Sequence, residues 1–168
     1  MSDHIKQIQA RYEPLEDRIL FKLHTKNQQS LQAWITRRYL QLLLPTLQGK
    51  HPQTGQAILS QKSLAMYQAA AEKGQLEANY NAPYQEPEQA SEPLGKTPIL
   101  LTKLTLKGLE TPSPQLILEP ETGPGIQFSY DAEFMGTLLK VFIQAYDTAN
   151  WQLSLDPLLS TPESITLQ

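Results

Sequence analysis

The chain lacks cysteine entirely, although it has 168 residues. This excludes disulfide bonds, thiolate nucleophiles, zinc sites with cysteine ligands and iron–sulfur clusters. A domain of this size buries roughly 70% of the surface that its unfolded chain exposes, so folding needs no covalent or metal cross-link. With 40% hydrophobic and 18% charged residues, the composition predicts a single globular domain over residues 1–168.

Long apolar stretches and a strong net charge are also missing. No part of the sequence approaches the roughly 18 consecutive apolar residues of a membrane span. The first residues mix charged and amide side chains where a secretory signal needs an apolar stretch. We therefore expect a cytoplasmic protein without a membrane partner. The net charge of -3 gives no general attraction to phosphate backbones, so it disfavours nucleic acid as a partner.

The sequence contains no recognisable catalytic or metal-binding motif. The three histidines, His4, His24 and His51, are not at metal-site spacing, and no phosphate loop, dinucleotide fingerprint or nucleophile elbow is present. Paired carboxylates are better explained as helix caps and turn residues. We therefore predict no catalytic residue, no metal and no cofactor. We expect His24 to be exposed, because it lies on the strand face opposite Phe21 and Leu23.

The order of the hydrophobic patterns predicts an α+β fold. Residues 18–48 and 115–146 each contain two alternating strands, one capping residue and a helix with an apolar face. The capping residues are Thr36 and Asp131. Two ββα units of this kind predict a mostly antiparallel sheet with the helices packed on one face. The pattern leaves open whether the two units share one sheet.

Three further elements are predicted from periodicity. Residues 1–17 have apolar positions three apart, which indicates a short polar helix. Residues 60–74 are expected to form another helix that ends near Gly74. A continuous strand is expected over residues 99–109.

The segments outside these elements are predicted to be less ordered. Residues 79–98 carry four prolines among glutamate and glutamine, so we expect a mobile loop or linker there. Trp151, Leu153 and Leu155 predict a last strand, and residues 157–168 are expected to form a tail.

The pair Arg37 and Arg38 follows Trp34 and opens a predicted helix. Two guanidinium groups at a helix N-terminus can hold a phosphate or carboxylate, and a neighbouring aromatic ring can stack on a base. Alternatively, one arginine packs over Trp34 and pairs with a carboxylate such as Glu16 or Asp17, while the other is solvated. Trp34, Arg37 and Arg38 are therefore the candidate binding residues.

The same residues carry a resemblance. The run Asp17-Arg18-Ile19-Leu20 followed by Ala33-Trp34-Ile35-Thr36-Arg37-Arg38 resembles a pattern in a small group of uncharacterised bacterial proteins. In that group a charged strand leads to a W-x-T-R-R-like element that opens a helix. The resemblance covers about a fifth of the chain and implies a bacterial source. It implies no activity and no catalytic residue.

Three functions remain open from the sequence. The favoured one is a non-enzymatic interaction or assembly module that binds a protein partner or a second copy of itself. It would act through a sheet face, an edge strand or the proline-rich segment. The second is anion or nucleic-acid binding through Arg37, Arg38 and Trp34, with help from Arg18 and Lys22. The third is an enzyme whose site is assembled from distant residues such as His24, Asp17 and Arg37.

Overall fold

A computed structural model of the protein describes residues 5–59, 61–77 and 84–151. These residues form an α+β fold with three helices and two sheets, which confirms the predicted fold class. No helix among them is long and apolar enough to cross a membrane. In chain order the elements are β1 (Ile5–Glu13), β2 (Arg18–Thr25), β3 (Ser30–Ile35), α1 (Arg37–Leu47), α2 (Gln61–Glu77), β4 (Ile99–Leu100), β5 (Lys103–Lys107), β6 (Gln115–Glu119), β7 (Ile126–Ser129) and α3 (Ala132–Ala149).

The first sheet has the strand order β1-β2-β3-β4, and only β4 runs parallel to its neighbour. The predicted hairpin of β2 and β3 is confirmed, and the alternating Ile19, Phe21 and Leu23 are fully buried on its inner face. The predicted helix over residues 1–17 is wrong for residues 5–13. These residues form β1, in which Ile8 lies opposite Leu23. Pairing along β2 supplies the backbone hydrogen bonds of this segment, and this tertiary contact overrides the local three-residue spacing.

The second sheet has the strand order β5-β6-β7 and is antiparallel throughout. The continuous strand predicted over residues 99–109 is divided between the two sheets. The backbone N–H of Leu101 donates to the carbonyl of Trp34 in the first sheet, and that of Thr102 donates to the carbonyl of Glu119 in the second. The two predicted ββα units therefore lie in different sheets, joined by a chain that crosses between them at two consecutive residues.

Helices α1 and α3 begin where the sequence predicts. The side chain of Thr36 accepts a hydrogen bond from the backbone N–H of Tyr39, and Asp131 accepts one from Phe134. Both helices bury an apolar face in the core. The buried residues of α1 include Leu40, Leu43, Leu44 and Leu47, and those of α3 include Phe134, Leu138, Leu139 and Phe142.

Helix α2 is described from Gln61 to Glu77, so Gly74 lies inside the helix and does not terminate it. Gly74 instead lies where α2 crosses α3: a Cβ atom at this position would be 1.9 Å from the carbonyl oxygen of Glu133. Gly136 on α3 is packed equally closely, since its Cβ would be 1.9 Å from the carbonyl oxygen of Ala71. Small residues at both positions let the two helix backbones approach each other.

Two tyrosines close the C-terminal end of α1. The hydroxyl of Tyr67 on α2 donates to the carbonyl of Leu47 at 2.9 Å, and that of Tyr130 donates to the carbonyl of Thr46 at 2.6 Å. Their rings are stacked with centroids 5.3 Å apart. Burial raises the pKa of both hydroxyls, so both remain donors at neutral pH. These bonds satisfy carbonyl groups that a helix end leaves without a partner in the helix itself.

Candidate functional site

Trp34 lies on the outer face of the first sheet, where it is covered by Arg18. The guanidinium carbon of Arg18 is 3.7 Å from the centre of the Trp34 ring. Arg18 also pairs with Glu16, through contacts of 2.8 Å from Nε and 2.7 Å from one terminal nitrogen. The predicted stacking of an arginine over Trp34 thus has its counterpart here, but the arginine is Arg18 and neither Arg37 nor Arg38.

Arg37 and Arg38 occupy the exposed first turn of α1. This turn contains no acidic side chain, and neither arginine forms an ion pair with the described residues. The helix dipole adds positive potential at the same end. The start of α1 is therefore a cationic point on the surface of the described structure.

A cavity of about 360 Å³ opens beside Arg38. It lies between the first turn of α1 and the residues that connect β4 to β5. Its walls combine three leucines with polar side chains, and Leu100 among them is 44% exposed, although it is a large aliphatic side chain. The lining consists of Thr36, Arg38, Tyr39, Leu42, Leu100, Leu101 and Thr102. We call Trp34, Arg37, Arg38 and this lining the corner.

Asp17 holds together two distant parts of the chain next to the corner. Its carboxylate accepts hydrogen bonds of 2.7 Å from the hydroxyl of Tyr12 and from the indole N–H of Trp151. These bonds, chiefly the one from Trp151, lower the pKa of Asp17, and the nearby charge of Arg37 lowers it further. Asp17 is therefore ionised at neutral pH and connects the β1–β2 turn to Trp151, which follows the C-cap of α3.

The opposite end of the outer face is covered by residues 84–91, which we call the covering segment. Gln7 on β1 holds its backbone at Gln85: the Gln7 Oε1 accepts from the Gln85 N–H at 2.9 Å, and the Gln7 Nε2 donates to the Gln85 carbonyl at 3.2 Å. Lys22 forms an ion pair with Glu86 and lies 5.6 Å from the centre of the Tyr84 ring. These contacts anchor one end of the segment on β1 and β2.

The other end of the covering segment reaches the β2–β3 turn. The backbone N–H of Ser91 donates to the carbonyl of Gln28, and the N–H of Ser30 donates to the carbonyl of Ser91, both at 2.8 Å. The mobile loop or linker predicted over residues 79–98 thus includes residues in contact with the first sheet. Residues 78–83 lie outside the described residues, and mobility of the segment stays a prediction.

His24 is 3% exposed, so the expectation that it is solvated is wrong. It is buried because the covering segment, about 60 residues later in the chain, lies against the outer face of β2. The Nδ1 of His24 is 3.5 Å from Gln7 Nε2, while its Nε2 has no hydrogen-bond partner within the described structure. The hydroxyl of Tyr84 is a second buried polar atom without such a partner.

The remaining histidines and the residues of the predicted composite active site do not form a catalytic or metal site among the described residues. His51 accepts backbone hydrogen bonds within its own loop, from Gln53 and Thr54, and His4 lies outside the described residues. No group of three metal-ligating side chains occurs in residues 5–59, 61–77 and 84–151. His24 and Asp17 lie at opposite ends of β2, roughly 20 Å apart along the strand.

The structure thus brings together part of the predicted site. Arg38 lines the cavity beside Leu100, whereas Trp34 is covered by Arg18 and lines none of it. Sequence analysis did not find the roles of Leu100, Lys22 and Tyr84. The only sequence signal for Leu100 was an apolar side chain on a segment with strand periodicity, which equally fits a buried position.

No family model, no curated protein and no solved structure matches this chain. The resemblance of the segment around Trp34, Arg37 and Arg38 to a bacterial protein group stays a prediction.

Proposed function

We propose that the protein is a non-enzymatic interaction module that binds a partner protein at the corner. The observation that carries this proposal is the cavity beside Arg38, in which an exposed Leu100 and a half-buried Leu42 lie next to a guanidinium group that has no ion pair among the described residues. A recess that combines leucine side chains with a cationic edge complements a protein segment that carries an aliphatic or aromatic side chain and a carboxylate.

The chemistry of the corner favours recognition over catalysis. The polar side-chain groups that line its cavity are the guanidinium of Arg38 and the hydroxyls of Thr36, Tyr39 and Thr102. Thr36 caps α1, and the Tyr39 hydroxyl donates to the carbonyl of Lys103 at 2.9 Å. Burial raises the pKa of Tyr39 far above neutrality, so its hydroxyl is not a base at physiological pH. Neither histidine nor carboxylate lines the cavity, so a general base within it has no candidate among the described lining residues.

Nucleic-acid binding at the same residues receives less support. A base would stack on Trp34, but the guanidinium group of Arg18 already lies over one face of that ring. The net charge of -3 also opposes attraction to a phosphate backbone.

The test is site-specific photo-crosslinking from position 100, with the side chain of Leu100 replaced by a photoreactive amino acid, in lysate of the source organism treated with nuclease. We expect one protein to be captured in this position. The control places the photoreactive residue at Lys107, which is exposed on the outer face of the second sheet.

Specificity is then tested with charge reversal. Arg38→Glu is expected to reduce the crosslinked product by about tenfold, because the change replaces an attractive charge with a repulsive one at the cavity edge. Lys107→Glu changes the net charge equally and should leave the yield unchanged. Equal capture from positions 100 and 107, or a yield that Arg38→Glu does not affect, would contradict the proposal.

A further inference from the structure

We infer that the outer face of the first sheet around Gln7, Lys22 and His24 is a docking site for an extended segment of a partner protein, and that the covering segment occupies this site in the unbound protein. The expected partner segment carries an aromatic residue and, two positions later, a carboxylate. This site is separate from the corner, and it goes beyond the proposed function by identifying a second surface and its resident occupant.

The covering segment is held in the manner of a bound peptide. At Gln85 the contact uses only its backbone, whose N–H and carbonyl are both bound by the side-chain amide of Gln7. At Ser91 both backbone groups are again used, one by Gln28 and one by Ser30. Recognition of an extended backbone by fixed polar groups does not depend on sequence, so the same groups can hold another chain.

Lys22 supplies the side-chain preference of the site. Its side chain is 13% exposed, and it is paired with the Glu86 carboxylate and lies beside the Tyr84 ring. A cation with a carboxylate and an aromatic ring as neighbours selects for the same two groups in any segment that replaces the resident one. This is the basis for the spacing of two positions between the aromatic residue and the carboxylate.

The resident segment fits the site incompletely. Gln7 uses its Oε1 to accept from Gln85, so its Nε2 is a donor, and the Nδ1 of His24 faces this donor as an acceptor. The ring proton of His24 is then on Nε2, which is buried without an acceptor among the described residues. The Tyr84 hydroxyl is also buried without a partner in the described structure. A buried polar group without a hydrogen bond destabilises the closed arrangement, so a segment that offers an acceptor to His24 can displace the resident one.

The experiment uses a labelled peptide with the sequence of residues 84–94 and the full-length protein, with fluorescence anisotropy as the readout. In the wild-type protein the resident segment competes from within the chain. The Tyr84→Ala/Glu86→Ala double variant weakens that competition, so we expect it to bind the peptide at least about tenfold more tightly than the wild type. Glu86→Ala alone should give a smaller gain in peptide affinity. This single variant takes the place of the double variant if circular dichroism shows that the double variant is unfolded.

Three controls make the result specific. Adding Lys22→Glu to the double variant should abolish binding, and so should replacing the tyrosine and the first glutamate of the peptide with alanine. Adding Arg38→Glu should leave binding unchanged, which separates this site from the corner. The inference is overturned if the double variant and the single variant bind no better than the wild type, or if binding survives Lys22→Glu. Neither result would change the crosslinking expected from position 100, because that experiment tests the corner and not this site.

Discussion

The two halves of the molecule use the same plan and differ on one face. Each half has three consecutive antiparallel strands followed by a helix, over residues 5–47 and 103–149. The central strands β2 and β6 both bury alternate apolar residues on the inner side. On the outer side of β2, Leu20 and His24 are buried as well, whereas the outer residues of β6 are only half-buried.

This difference coincides with the two proposed binding surfaces. An alternating strand pattern needs only one buried face to be stable in an antiparallel sheet. The second sheet meets this requirement, and the described residues leave the outer side of β6 half-buried. On the outer face of the first sheet, Arg18 packs over Trp34 and the covering segment contacts Lys22. This face therefore has side-chain and chain contacts beyond those that the sheet itself requires. The corner and the inferred docking site both lie at the first sheet.

The largest effect is expected where α2, which lies between the two halves in the chain, crosses α3 of the second half. Gly136→Ala should lower the free energy of unfolding by about 3 kcal/mol, because its Cβ would be 1.9 Å from the Ala71 carbonyl oxygen. Alanine favours a helix more than glycine does, so propensity alone predicts the opposite sign. Urea unfolding followed by circular dichroism measures the difference.

Gly123→Ala, in the β6–β7 turn, is the matched control. Nothing lies within 4 Å of its Cβ, but its φ of 97° is unfavourable for alanine, so a loss of about 1 kcal/mol is expected. If Gly136→Ala lowers the free energy of unfolding by no more than Gly123→Ala does, α2 and α3 can move apart without a large loss of stability.

The next effect compares the outer faces directly. Leu20 is 7% exposed at the centre of β2, while Ile117 is half-buried at the centre of β6. Leu20→Ala should cost about 2 kcal/mol, and Ile117→Ala about 1 kcal/mol or less, because the cost of truncation grows with burial. Both are measured by urea unfolding. Equal losses would contradict the view that the outer face is more deeply buried in the first sheet than in the second, as the described residues have it.

The smallest of the three effects concerns the bond between the halves at Asp17. Asparagine tolerates the φ of 53° at position 17, so Asp17→Asn is compatible with the backbone there. The change removes the negative charge of the carboxylate group that accepts hydrogen bonds from Tyr12 and Trp151. The pKa of Asp17 is lowered on folding, so its charge stabilises the folded protein above the usual value of 3.8, and that stabilisation is lost as pH falls through the lowered pKa.

Unfolding of wild type and Asp17→Asn by urea, repeated between neutral pH and about pH 2, checks this expectation. The variant should be less stable at neutral pH, and the two proteins should converge in acid. A difference that does not depend on pH would assign the effect to geometry and not to the charge. Glu133→Gln provides a control, since it removes an acidic side chain in the first turn of α3.

Local patterns were sufficient to predict much of the fold. The β2–β3 hairpin and the caps Thr36 and Asp131 depend on alternation and on hydrogen bonds within a few residues, and both are visible in the sequence. The strand at residues 5–13, by contrast, exists because β2 pairs with it. The division of residues 99–109 depends on two sheets being present, which no local pattern encodes.

The candidate site was less predictable for the same reason. The sequence predicts Arg37 and Arg38 as candidate binding residues because two adjacent arginines at the start of a helix form a local pattern. The burial of His24 depends on residues that follow it by about 60 positions, and the stacking on Trp34 depends on the register that brings Arg18 diagonally across from it on the sheet. Long-range register determines both, and periodicity in one segment does not contain it.

The two tyrosines at the end of α1 have a consequence for synthesis. Tyr67 reaches its carbonyl across 20 residues, but Tyr130 reaches its own across 84. A chain leaving the ribosome can therefore close the end of α1 with the first tyrosine while the second sheet is still unmade. The ring of Tyr67 then offers a surface on which Tyr130 stacks when it arrives. We expect the first half to acquire its order earlier, with the arrival of Tyr130 as the step that joins the second half to it.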